Sequence, residues 1–106
     1  VTRLDRALAS DQGPDREMPG EWLWTLRCGR GLSALDCKRL VPGIRARDVL
    51  RYERTGEGLD AVTLATLARK LSGMPVVFDN LSPGRVVSAR RRAAEAMATA
   101  RRIQDA

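Results

Sequence analysis

Residues 42–56, PGIRARDVLRYERTG, place helix breakers on both sides of one short periodic run, and this punctuation constrains the fold more than any other stretch. Pro42-Gly43 stops the preceding run and Thr55-Gly56 ends this one, so the spacing predicts a helix from Arg45 to Arg54. On the helical period Arg47, Arg51 and Arg54 fall at i, i+4 and i+7 and form one basic stripe. Ala46, Val49, Leu50 and Glu53 form a second, mostly apolar one. A short helix that buries one flank and offers a row of arginines on another suits insertion into the major groove of DNA. Glu53 stands in the apolar stripe, where an unpaired carboxylate is costly. Either Arg27, at the inward end of the run EWLWTLRCGR, pairs with it, or Glu53 turns out to water from the helix end.

The other runs are also helical in period. A first helix is expected from near Pro19 through EWLWTLRCGR, ending by Gly31, with Trp22, Leu23 and Leu26 facing inward. Arg27 and Arg30 follow at helical spacing. The two tryptophans read as core or edge packing, with a ligand role as the alternative. A second helix is expected to start at Ser33, an N-cap with Asp36 three residues on, and to bury Ala34, Cys37, Leu40 and Val41. Leu32 and Cys37 are placed to form a hydrophobic staple around that cap. Downstream, Asp60 caps a run in which Leu64, Leu67, Ala68 and Leu71 recur at i, i+3, i+4 and i+7, with Gly73 as the stop.

Residues 74–81, MPVVFDNL, favour an extended segment that serves as a lid or pairs with a second copy. Ser82-Pro83 opens a last helix in which Val86, Ala89, Ala93, Ala96, Ala100 and Ile103 keep heptad spacing. That seam docks either on the domain or on a twin helix. Arg90, Arg91, Arg92, Arg101 and Arg102 lie mostly off it, as a solvated face or as added phosphate contacts.

These elements predict an all-α fold of four to five helices, with 19–73 as the functional domain. Residues 74–106 form an appended segment and a candidate dimerisation element. Residues 1–18 carry a short periodic run with Leu4, Ala7 and Leu8, then a Pro- and Gly-rich stretch, and are expected to be a flexible N-terminal segment.

Charge narrows the partners. The net charge is +6, distributed as −2 over 1–21, +5 over 22–72 and +3 over 73–106. Arginine dominates, and its planar fork suits bidentate contacts to phosphate and guanine. No basic stretch alternates with bulky apolar residues, which disfavours a membrane surface as partner. Two cysteines without any histidine make no metal set, so Cys28 and Cys37 are expected to be small buried hydrophobes. No signal peptide or membrane span is recognisable, and the cytoplasm, at the nucleoid, is the expected location.

The order of elements resembles the lambda-repressor-like helix-turn-helix family, the XRE group of bacterial and phage regulators. The resemblance covers roughly residues 20–73. It is carried by LWTLRCGRGLS, the Gly-Ile turn, VLRYERTG and VTLATLARKLSG. It implies that Arg27 pairs with Glu53 and that Ala46, Arg47 and Arg51 touch bases. The amides near Ser33 and Ala34 would then meet phosphate. This chain has Ala34 where the family usually has Gln, Arg45 at the recognition-helix cap, and Pro42 inserted in the turn. LRYERTG is also similar to the end of a MerR-family helix, but Gly58-Leu59-Asp60 opens a helix here and not a stranded wing.

The expected function is sequence-specific binding of double-stranded DNA as a homodimeric, repressor-type regulator. Arg47 and Arg51 would read guanine edges, while Arg45, Arg54, Arg30, Lys38 and Arg39 hold phosphates. The alternative is an antitoxin or another adaptor that uses the same fold against a protein partner, a toxin or a regulator. Nothing assembles a reaction centre or implies a cofactor, so an enzyme is not expected.

Overall fold

Each periodic run that falls within the described residues becomes a helix in the computed structural model, which describes residues 18–77 and 83–105. The periodic run with Leu4, Ala7 and Leu8, and Ser82 ahead of the last helix, lie outside them. In chain order the helices are α1 (Glu21–Gly29), α2 (Cys37–Leu40), α3 (Ala46–Thr55), α4 (Ala61–Ser72) and α5 (Pro83–Asp105), with no strand among the described residues. No described helix is long and apolar enough to cross a membrane.

The centre of the fold is α1, which is buried along its whole length. Its sequence indicates one inward face, yet α3, α4 and α5 all pack on it. Two of the polar side chains this encloses are partnered: Thr25 Oγ1 donates to Glu21 Oε1 at 3.0 Å, and Arg85 from the start of α5 pairs with the same carboxylate. The Arg85 guanidinium also lies 5.1 Å from the centroid of the Trp24 ring, so a single residue fastens α5 over α1 by charge and by cation–π contact.

The next helix, α2, is shorter than expected. Ser33 and Asp36 form the reciprocal cap, the Ser33 amide donating to Asp36 Oδ2 at 2.9 Å and the Asp36 amide to Ser33 Oγ at 3.2 Å. The turn inside that cap runs in i→i+3 bonds, from Cys37 N to Ala34 O, Lys38 N to Leu35 O and Arg39 N to Asp36 O. Aspartate is one methylene shorter than the usual glutamate, which draws the first turn tight and delays α-helical bonding until Cys37. At the other end Lys70 reaches from α4 to donate to the Leu40 carbonyl at 2.6 Å. Leu32 and Cys37 are both buried in the shared core.

Asp60 caps α4, accepting from the Thr63 amide at 2.8 Å and the Thr63 hydroxyl at 2.9 Å. Leu67, Ala68 and Leu71 are buried, and Leu64 is half-buried against the same cluster. The alanine seam of α5 is spent inside the domain: Ala89 and Ala93 join the core with Leu67, Leu71 and Trp22, and Ala96 packs beside them. Residues 19–73 and α5 therefore share one core, and the helix docks on its own chain. Small side chains allow that close approach while burying little area each. At the far end of the seam Ile103 is 54% exposed. Of residues 74–81, expected to be extended, 78–81 lie outside the described residues; at Val77 the amide donates to the Gly29 carbonyl at 2.8 Å, while the Val76 and Val77 side chains remain exposed.

Candidate nucleic-acid interface

Everything that orients α3 acts on its inner flank. Val49 is fully buried, and Tyr52 meets Trp22 edge-to-face with ring centroids 5.9 Å apart and planes at 85°. Arg27 binds Glu53 through two parallel bonds, Nε to Oε2 and Nη2 to Oε1, each 2.8 Å long. A third bond runs from Arg27 Nη1 to the Leu32 carbonyl at 3.0 Å. Both ionic side chains are closed to solvent, at 0% and 2% exposure. A bidentate fork of this kind fixes both distance and angle, so α1 and α3 cannot rotate against each other without breaking it.

Two glycines complete the anchoring. A Cβ on Gly20 would sit 1.9 Å from the Tyr52 carbonyl oxygen, so the N-terminus of α1 presses directly on the backbone of α3. Gly56 adopts φ 76° and closes the helix by donating to the Tyr52 carbonyl at 2.7 Å. An L-residue there would be strained, and its Cβ would come within 2.8 Å of Pro19.

The outer flank is cationic. Arg45, Arg47, Arg51 and Arg54 are all exposed on α3 or at its N-cap, and Lys38 and Arg39 are exposed on α2. Neither Arg47 nor Arg51 has an ion-pair or side-chain hydrogen-bond partner among the described residues. Arg45 holds extended backbone at the cap, φ −108° and ψ 145°, and makes no side-chain capping bond, as a guanidinium has only donors and cannot accept from the first-turn amides.

Four expected site residues are placed differently. Arg30 is 8% exposed and does not project to the surface. It donates from Nε to the Leu71 carbonyl at 2.8 Å and from Nη1 to the Leu26 carbonyl at 3.3 Å, closing the C-terminus of α4 where carbonyls lack helical partners. The Ser33 amide is taken by Asp36, so it is not open to phosphate. Ala34 is buried in the core. Ala46 is half-buried against that core, which leaves its side chain little to offer a base edge. Helical periodicity gives the face of a residue only relative to its own helix, and packing against the rest of the chain settled these cases.

One residue escaped the sequence reading. Leu35 is 64% exposed on the tight turn leading into α2, three and four residues ahead of Lys38 and Arg39. Its signal was available, since it falls off the Ala34, Cys37, Leu40 and Val41 stripe.

Comparison of the chain with family models, with curated proteins and with solved structures finds no match.

Proposed function

We propose that this chain is a sequence-specific DNA-binding regulator that inserts α3 into the major groove, with α2, the turn and α3 acting as a lambda-repressor-like helix-turn-helix unit. The observation that carries the reading is the contrast between the flanks of α3. Its inner side is locked by Arg27 and Glu53, while Arg47 and Arg51 stand unpartnered in solvent on the outer side. A rigid helix with two free guanidinium forks meets the geometric demand of base-edge readout, where each bidentate arginine–guanine pair is worth about 1–3 kcal/mol of discrimination. Lys38, Arg39, Arg45 and Arg54 supply the phosphate contacts that set register. As a homodimer the protein would read a two-fold-related operator, with half-sites about one helical turn apart.

The test is selection of bound fragments from a genomic library, followed by affinity measurement on the recovered site across a salt series. The reading requires a recurrent motif and an affinity that falls steeply with salt as counterions are released. Absence of salt-sensitive retention on any DNA would move the protein to the class of protein-binding adaptors, antitoxins included.

A further inference from the structure

A cavity of about 420 Å³ lies where the ends of α1 and α4 meet α5, lined by Arg30, Ser72, Met74, Val76, Arg90 and Met97. Its size falls within the roughly 300–1,000 Å³ of small-molecule sites. Two of the lining residues are arginines, and no carboxylate is among them. The first arginine is built in. Carbonyls of Leu71 and Leu26 hold Arg30 by Nε and Nη1, fixing the plane of the guanidinium, and Nη2 has no acceptor among the described residues. Burial pushes the Arg30 guanidinium down from its ordinary range, and the charge of Arg90 pushes it further the same way. Two like charges, one of them desolvated, are destabilising until an anion is placed between them. The rest of the lining apart from Ser72 is apolar, from Met74, Val76 and Met97, and thioether side chains adapt to irregular shapes.

A neighbouring cavity of about 20 Å³ shares Arg30, Val76 and Arg90 but is too small for an organic ligand, and two others have no arginine fixed by carbonyls among the described residues. The cleft beside Trp22 and Tyr52, about 220 Å³, holds Arg92 and Glu95, which pair with each other at 3.7 Å. The groove between α4 and α5 has Arg69 and Arg101, exposed as Arg90 is, but among the described residues neither is held by carbonyls in the way Arg30 is.

We infer that the cavity at Arg30 and Arg90 binds a small organic carboxylate carrying an apolar body. The carboxylate is received by Nη2 of Arg30 and by Arg90, the hydrocarbon lies on Met74, Val76 and Met97, and Ser72 borders the rim. The inference is independent of DNA reading, because none of these groups belongs to the outer face of α3. It also gives Arg30 a second role beyond closing α4.

Thermal unfolding of the full chain at constant ionic strength tests it, with benzoate, benzamide, inorganic phosphate and chloride as probes. A ligand that binds only the folded state raises the melting temperature in a saturable way. The expected result is a saturable rise with benzoate and none with benzamide, which has the same ring and no charge. Arg90→Gln should weaken the benzoate response by roughly tenfold, the scale of one charge-assisted hydrogen bond. Arg91→Gln, which changes the adjacent exposed arginine outside the cavity, should leave the response intact. The inference is overturned if benzoate acts no differently from chloride, or if Arg90→Gln responds as the parent does. It fails equally if Arg91→Gln also loses the response, or if phosphate produces the rise and benzoate does not.

Discussion

Arg27 and Glu53 face each other across the α1–α3 contact with two 2.8 Å bonds and no more than 2% side-chain exposure to water. Removing one partner leaves the other charge buried alone, a loss of about 3–5 kcal/mol. Glu53→Ala should therefore lower the urea midpoint sharply without changing the slope of the transition. Replacing both residues with apolar ones, Arg27→Met with Glu53→Leu, should recover much of that loss, since the pair itself is close to neutral against good packing. A Glu53→Ala midpoint equal to the parent's would mean that the pair does not clamp α3.

The arginines on the outer flank should behave in the opposite way. Arg47→Ala and Arg51→Ala remove exposed side chains, so unfolding should be unaffected within about 0.5 kcal/mol. Each should reduce preference for the cognate site over unrelated DNA by about 1–3 kcal/mol. Lys38→Ala should instead weaken all sequences alike and reduce the salt slope by about one. Titrations against matched and scrambled duplexes separate the two patterns, and an Arg47→Ala variant that keeps full preference would remove α3 from the groove.

Gly20 is the tightest backbone approach of the anchoring. The Cβ of Gly20→Ala would fall 1.9 Å from the Tyr52 oxygen and 2.6 Å from the Glu53 Cα, both main-chain atoms that cannot swing aside. The cost should reach the upper part of the about 1–3 kcal/mol typical of overpacking. DNA affinity should drop with it, because the shift displaces α3. Calorimetry would show this directly, and a parent-like melting temperature would disprove the close contact.

The cap of α4 titrates. Hydrogen bonds from the Thr63 amide and hydroxyl hold the Asp60 carboxyl below its ordinary value. A carboxyl depressed in the folded state stabilises fully above its unfolded pKa of about 4, and that stabilisation is lost as the pH falls through the lower folded value. The melting-temperature advantage of the parent over Asp60→Ala should be constant near neutrality and shrink below about pH 4. An advantage independent of pH would show that the cap works without its charge.

Much of the architecture is legible in the letters because helix signals are local. Pro42-Gly43, Gly56, Gly73 and Pro83 divide the chain at the observed boundaries, and Asp60 caps the helix it precedes. The length of α2 was not legible, because the Ser33–Asp36 pair pulls the turn tight through a bond geometry that residue types alone do not specify. Nor was the enclosure of α1. Its own stripe marks one face, and only the arrival of α5 covers the rest.

The sequence by itself determined where the helices are, that the outer face of α3 is cationic, and that Glu53 needed a partner if it stayed in the apolar stripe, since each follows from periodicity and from the cost of burying charge. The tertiary structure alone decided the fate of cations and amides outside α3. Arg30 is as basic as Arg47 and stands in an equally helical run, yet it ends beneath α4 with the Leu71 carbonyl. The Ser33 amide is spent on a cap, and the alanine seam of α5 is used on its own domain. Solvent exposure depends on which distant elements arrive, and no local pattern encodes that.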